Sequence, residues 1–246
     1  RRRPTIPPPC PRLVKGVEGV SYSVKEIYYT LQGEGCQAGR PAIICRFAGC
    51  NLWSGLEPDR ATAICRFCDT NFVGLNGPRG GRFESAQELA RAVAAAWPGN
   101  GRWSHRKFVV CTGGEPLLQL DRAAIDALHD AGFEVAVETN GTIAPPEGLD
   151  WICVSPKAEA ELKARQGNEL KLVFPQADAL PERFADLPFD HFFLQPLDGP
   201  DLEQNIQLAV QYCLDHPQWR FNLQLHKVIP LRESGSSTRS RTHSHR

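Results

Sequence analysis

Three cysteines carry the strongest chemical signal in this sequence: Cys50 in GCNLW, then Cys65 and Cys68 in CRFCDT. Thiolates bind both zinc and iron–sulfur clusters, so spacing has to discriminate between the two. Adding Cys45 gives C-x4-C, fourteen intervening residues and C-x2-C, close to a four-thiolate zinc ribbon. Two features weigh against zinc. Cys45 lies inside the strand-like AIICRF, where alternation turns it away from the loop that carries the others. The link RFAG between Cys45 and Cys50 has only one glycine, whereas zinc knuckles usually come with tight glycine turns. With three ligands, a 4Fe–4S cluster keeps one iron open, which a catalytic site requires and a structural one lacks.

Further motifs offer groups for binding. TGGEP (112–116) has two glycines that let the backbone approach a ligand closely. SPK (155–157) presents a hydroxyl and an ammonium, although a lysine at a strand end is more often simply solvated. Arg46 could fork onto a carboxylate or make a strand-end salt bridge. Phe67, between two cysteines, offers an aromatic surface or packs in the core. ETNG (138–141) is otherwise a plain turn signal, and a lone histidine such as His226 is more often structural.

These motifs need elements to hold them. VKEIYY, RPAIICRF, KFVVC, EVAVET, WICVSP, ELKLVFP and HFFLQP read as strands. Helices are expected at about 85–97, where Ser85 and Glu88 form a capping box, at 123–132, stopped by Gly132, and near 201–216. Strands joined by helical crossovers imply a parallel α/β domain. A full eight-fold barrel takes about 250 residues, so an incomplete TIM-like barrel of about six parallel strands fits better. QGEG, GCN, TGGEP, ETNG, SPK and QP then all follow strands, where such folds collect functional groups.

Composition bounds the rest. Of 246 residues, 41% are apolar, enough for a sizeable core, and no apolar run approaches the roughly 18–20 residues of a membrane span. Net charge is zero, but residues 1–20 carry +4 and 231–246 carry +3, leaving −7 on the body. A nucleic-acid groove needs a basic stripe that this body lacks. A proline-rich extension (1–20), a catalytic domain (21–230) and a polar tail (231–246) are expected. Nine cysteines without a secretory signal point to a reducing cytoplasm, with thiols used for metal or packing.

GCNL…CRFCDT, TGGEP, ETNG and SPK, in this order, resemble the radical S-adenosylmethionine superfamily. QGEG with RFAGCNLW is similar to its 7-carboxy-7-deazaguanine synthase family, over about Tyr22 to Lys227. The superfamily usually spaces its first two cysteines three residues apart. Here Ser54 stands at that position, and the insertion SGLEPDRATAI delays the second ligand to Cys65, a C-x14-C-x2-C form that some members share.

The resemblance implies a 4Fe–4S cluster on Cys50, Cys65 and Cys68, and Mg2+ on the Thr70 hydroxyl. It implies S-adenosylmethionine against Phe67, Cys68, Asp69, Gly114, Glu138, Ser155, Pro156, Lys157, Gln195, Pro196, Leu197 and Asp198. A small-molecule pterin, 6-carboxy-5,6,7,8-tetrahydropterin, would meet Leu31, Gln32, Gly33, Arg46, Thr112 and His226. The implied reaction is a radical ring contraction to 7-carboxy-7-deazaguanine with loss of ammonia, in a homodimer served by a reductant such as flavodoxin. Another radical S-adenosylmethionine reaction, such as glycyl-radical activation, and a zinc-stabilised interaction module are the alternatives.

Overall fold

The computed structural model describes residues 21–99 and 107–229. The expected extension and tail, 1–20 and 231–246, lie outside them. The chain forms one nine-stranded sheet in the order β3-β1-β2-β4-β5-β6-β7-β8-β9. Seven strands run parallel: β2 (Pro41–Phe47), β4 (Lys107–Gly113), β5 (Phe133–Thr139), β6 (Trp151–Val154), β7 (Gly167–Phe174), β8 (Phe189–Pro196) and β9 (Trp219–Phe221). This is one more than expected, because the three-residue β9 adds to the edge.

The sheet separates two apolar layers, and alternation along each strand fills both. On β4, Val109 and Cys111 join the layer under helices α1 (Ala86–Ala96) and α2 (Arg122–Asp130), while Phe108 and Val110 pack on the concave side. Cys45 and Cys111 are register partners in the helical layer, both fully buried. A second outer cluster gathers β6 to β9 around Leu170, Leu172 and Leu194 against α3 (Leu202–Asp215). Ser85 caps α1 as expected: its hydroxyl accepts from the Glu88 amide at 3.2 Å. The Glu88 carboxylate reaches back to the Glu84 amide, one residue before the cap.

The first strand departs from expectation. β1 (Tyr22–Leu31) runs antiparallel to β2, with Leu31 opposite Pro41, and β3 (Gly81–Phe83) adds antiparallel to its other side. QGEG therefore emerges at the N-terminal end of the parallel strands, opposite the other motifs. β1 also carries a bulge, because Val24 pairs with Phe47 and Glu26 with Arg46, leaving Lys25 unpaired in the ladder. Before the bulge Tyr22 and Val24 face the helical layer, and after it Ile27 does.

Candidate active site

The concave side encloses a cavity of about 1010 Å³, lined by every expected site residue except the buried Pro156. Its upper wall comes from the C-terminal ends of the parallel strands. Cys50 follows β2, while Cys65 and Cys68 follow an insertion whose return is fixed by the Cys65 amide donating to the Leu52 carbonyl, 3.2 Å. TGGEP clamps this loop from β4. A Cβ on Gly114 would lie 2.1 Å from the Gly49 carbonyl oxygen and 2.8 Å from Cys50 Cβ, so only glycine allows the approach. The Glu115 amide then donates to the Gly49 carbonyl at 3.0 Å.

Glu115 was given no role from sequence, and it is the joint of this wall. It is fully buried, and its carboxylate accepts from the Leu117 amide (3.0 Å), the Thr139 hydroxyl (2.8 Å) and the Asn140 amide (2.8 Å). TGGEP is thereby fixed to ETNG. Burial pushes its pKa up, against those three hydrogen bonds. The acidic residue inside a glycine turn was the signal available.

Two of the thiols, Cys65 and Cys68, are joined by a hydrogen bond that moves their pKa values in opposite directions. A hydrogen bond from Cys65 pulls the Cys68 thiol down to about 6, and the same bond pushes Cys65 up. Burial pushes Cys50 up. Lys157, whose ammonium donates to the Ser155 carbonyl (2.6 Å) and hydroxyl (2.8 Å), lies 5.9 Å from the Phe67 ring centre. Burial lowers its pKa, and the Cys65 and Cys68 thiols oppose that shift.

The donor set fits an iron–sulfur cluster. Cys50, Cys65 and Cys68 line one cavity, which Cys153 also lines, while Cys45, which a zinc ribbon would need, is turned into the helical layer beside Cys111. Among the described residues no three His, Cys, Asp or Glu side chains converge as a single ion requires. A 4Fe–4S cluster would take each thiolate at a separate iron.

The floor is built by QGEG and the strand interiors. Gln32 Nε2 donates to Glu138 at 2.7 Å, and Lys171 lies between Glu34 and Glu138, the latter 3.4 Å away. Glu138, expected on the cofactor, is thus grouped with the residues expected on the substrate. Burial pulls the Lys171 ammonium down, but Glu138 and Glu34 outweigh it and hold the pKa well above its usual value. Burial likewise opposes ionisation of Glu34, yet Lys171 and Gln224 keep its pKa low. QGEG also closes the open side of the sheet. The Gly35 amide donates to Asn222, just past β9, and the Cys36 amide to Glu169 on β7, both at 2.8 Å. Lys171 and Glu34 escaped sequence reading, although E-L-K-L puts Glu169 and Lys171 on one strand face.

Arg46 makes the salt bridge that one of its sequence readings expected. Its Nε donates to Glu26 at 2.8 Å and Nη2 to the Tyr28 hydroxyl at 3.1 Å. Its register partner across β2 and β4 is Thr112, so the two form one row on the cavity wall. The C-terminal segment completes the enclosure. α4 (Leu225–Val228) is docked by the Leu225 amide donating to the Gly33 carbonyl, 3.0 Å, and by Lys227, which bridges Asp69 and Asp198. His226 comes beside Gly33, and Gln224 Nε2 donates to Glu34 (2.9 Å) and Asp69 (3.2 Å). Pro230 lies outside the described residues.

No family model matches the chain. It is 63% identical over 212 residues to a 7-carboxy-7-deazaguanine synthase of Caulobacter vibrioides, covering 86% of this chain and 100% of that protein. Against the Bordetella pertussis protein of the same name the identity is 62% over 210 residues, covering 85% and 99%. The fold is similar to the crystal structure of QueE from Escherichia coli, with a TM-score of 0.61 and 27% identity over 84% of this chain and 95% of that one. Matched over almost the whole length of these relatives, and with the motif residues gathered around one cavity, the chain belongs to the 7-carboxy-7-deazaguanine synthase family.

Proposed function

We propose that this protein converts 6-carboxy-5,6,7,8-tetrahydropterin into 7-carboxy-7-deazaguanine with release of ammonia, as a radical S-adenosylmethionine enzyme. The observation that carries the reading is the sharing of one cavity by the three thiols and the polar floor of Gln32, Glu34, Glu138 and Lys171. When bound, the cluster on Cys50, Cys65 and Cys68 and S-adenosylmethionine would supply a carbon-centred radical able to take a hydrogen atom from the substrate.

The protein's own groups bind and orient. Gly114, Ser155, Lys157, Gln195 and Asp198 would hold the sulfonium cofactor from the strand ends, with Phe67 offering a face to its base. Arg46 keeps its charge: burial works against it, but Tyr28 and Glu26 raise its pKa, and beside Thr112 its guanidinium would reach a substrate carboxylate while Glu26 balances it. The floor pairs amide, carboxylate and ammonium groups within one short reach, and a pterin edge presents matching donors and acceptors. Thr70, on the cavity wall after Cys68-Asp69, would give Mg2+ one oxygen ligand, with waters and substrate oxygens supplying others. A one-electron reductant such as flavodoxin and a second copy of the chain would be the partners. Among the described residues no helix is long and apolar enough to cross a membrane.

The test is an anaerobic assay of cluster-reconstituted protein with dithionite, S-adenosylmethionine, Mg2+ and the carboxytetrahydropterin, following the deazaguanine product by mass. Product that requires every component is expected. Formation of 5′-deoxyadenosine without product would reject the substrate, and zinc without iron after reconstitution would reject the reading. Cys65→Ala should bind little iron and lose cofactor cleavage; retained cleavage would remove Cys65 from the ligand set.

A further inference from the structure

The insertion that separates Cys50 from Cys65 contains a basic residue aimed at the cluster loop. Arg60 lies in a 3-10 turn, Glu57–Thr62. Its Nη1 donates to the main-chain carbonyls of Arg66 (2.9 Å) and Cys68 (3.1 Å), so one group spans the C-R-F-C turn between two ligands. Nε and Nη2 fork onto Glu57 at 2.8 and 2.6 Å. The guanidinium carbon sits 4.0 Å over the Trp53 ring, which packs edge-on to Phe72 in the small cluster that also touches Cys50 and Cys68.

Geometry and charge then act together. The carbonyl bonds fix the backbone that presents Cys65 and Cys68. Reducing a cluster adds an electron, and a fixed cation beside the loop favours the reduced form. Glu57 offsets only part of this. Its side chain is 74% exposed against 28% for Arg60, so water screens the anion more than the cation.

We propose that Arg60 is a positioning residue for the cluster, holding the C-R-F-C turn by two carbonyl bonds and raising the reduction potential through its charge. This rests on the cluster reading above. Potentiometric titration of reconstituted full-length protein, followed by electron paramagnetic resonance at matched iron content, tests it without turnover. At the wild-type midpoint, Arg60→Gln should lower the reduced-to-oxidised ratio by about three- to tenfold, tenfold being about 59 mV for one electron. Arg60→Lys should restore most of that loss, and Glu57→Gln should move the midpoint upward.

A wild-type midpoint in Arg60→Gln, or equal shifts in the Gln and Lys variants, would overturn the proposal. Should Arg60→Gln fail to take up iron, Glu57→Gln decides alone: a rise supports the proposal, and an unmoved or lowered midpoint overturns it. Wild-type protein that holds no iron would fail the cluster reading and this proposal together, whereas a normal cluster with unmoved midpoints fails only this one.

Discussion

Lys171 concentrates the electrostatic stakes of the cavity in one side chain. Its ammonium lies between Glu34 and Glu138, and Glu169 is also in its field. Lys171→Met leaves these carboxylates uncompensated and should cost about 3–5 kcal/mol in urea unfolding. The pair's pH dependence has a defined sign. Glu34 titrates below its ordinary 4.5 in the folded protein, so its contribution is present above that value and fades as pH falls through the depressed one. Lys171 titrates above its ordinary 10.5, so its contribution is present below that value and is lost as pH rises through the elevated one. Glu34→Gln should therefore flatten the acid side of the stability profile, which urea midpoints at a series of pH values would show. Glu115→Gln loses acceptor capacity on a buried joint, at about 1–3 kcal/mol, and calorimetry should show a lower Tm. The cysteines and TGGEP were legible in the sequence because their chemistry demands particular residue types close together. The Lys171–Glu34 pair was not, because its members are 137 residues apart and only the fold joins them.

Among the described helices α1 to α4, α4 has the least apolar anchorage, since it alone has no buried residue. Polar contacts hold it instead, chiefly Lys227 between Asp69 and Asp198. These side chains are partly exposed, so the bridge is worth about 1 kcal/mol. Lys227→Met should raise amide exchange across 224–229 roughly fivefold, with exchange in β4 and β5 unchanged. Equal acceleration in both regions would mean that the lysine supports the whole fold rather than this segment. The strands were readable from β-branched and aromatic runs, but the direction of β1 was missed. The signal was the nine-residue link from Gln32 to Arg40, since a parallel crossover needs a dozen or more. The three-residue β3 and β9 are too short to show a period, and long-range pairing alone makes them strands.

At the scale of the whole molecule, the sheet's two outer clusters meet at Ile152, which packs against both. The cavity draws on strands from each half, so binding there ties the halves together. The sheet also contains a residue that its own pairing does not use. Removing Lys25 would leave Tyr22, Val24 and Ile27 on their present side, because the remaining residues would simply alternate. What Lys25 serves is a different element: its ammonium donates to the Val73 carbonyl (2.8 Å) and Asn76 (2.6 Å), and its carbonyl accepts from the Gly77 amide (2.9 Å). Deleting it should preserve the circular dichroism spectrum while opening 71–80 to protease, and an unchanged cleavage pattern would count against that role. The strand thus has one residue whose addressee is the loop after Cys68, so a change of length at this one position should be felt on the Cys68 side of the cavity before it is felt in the sheet.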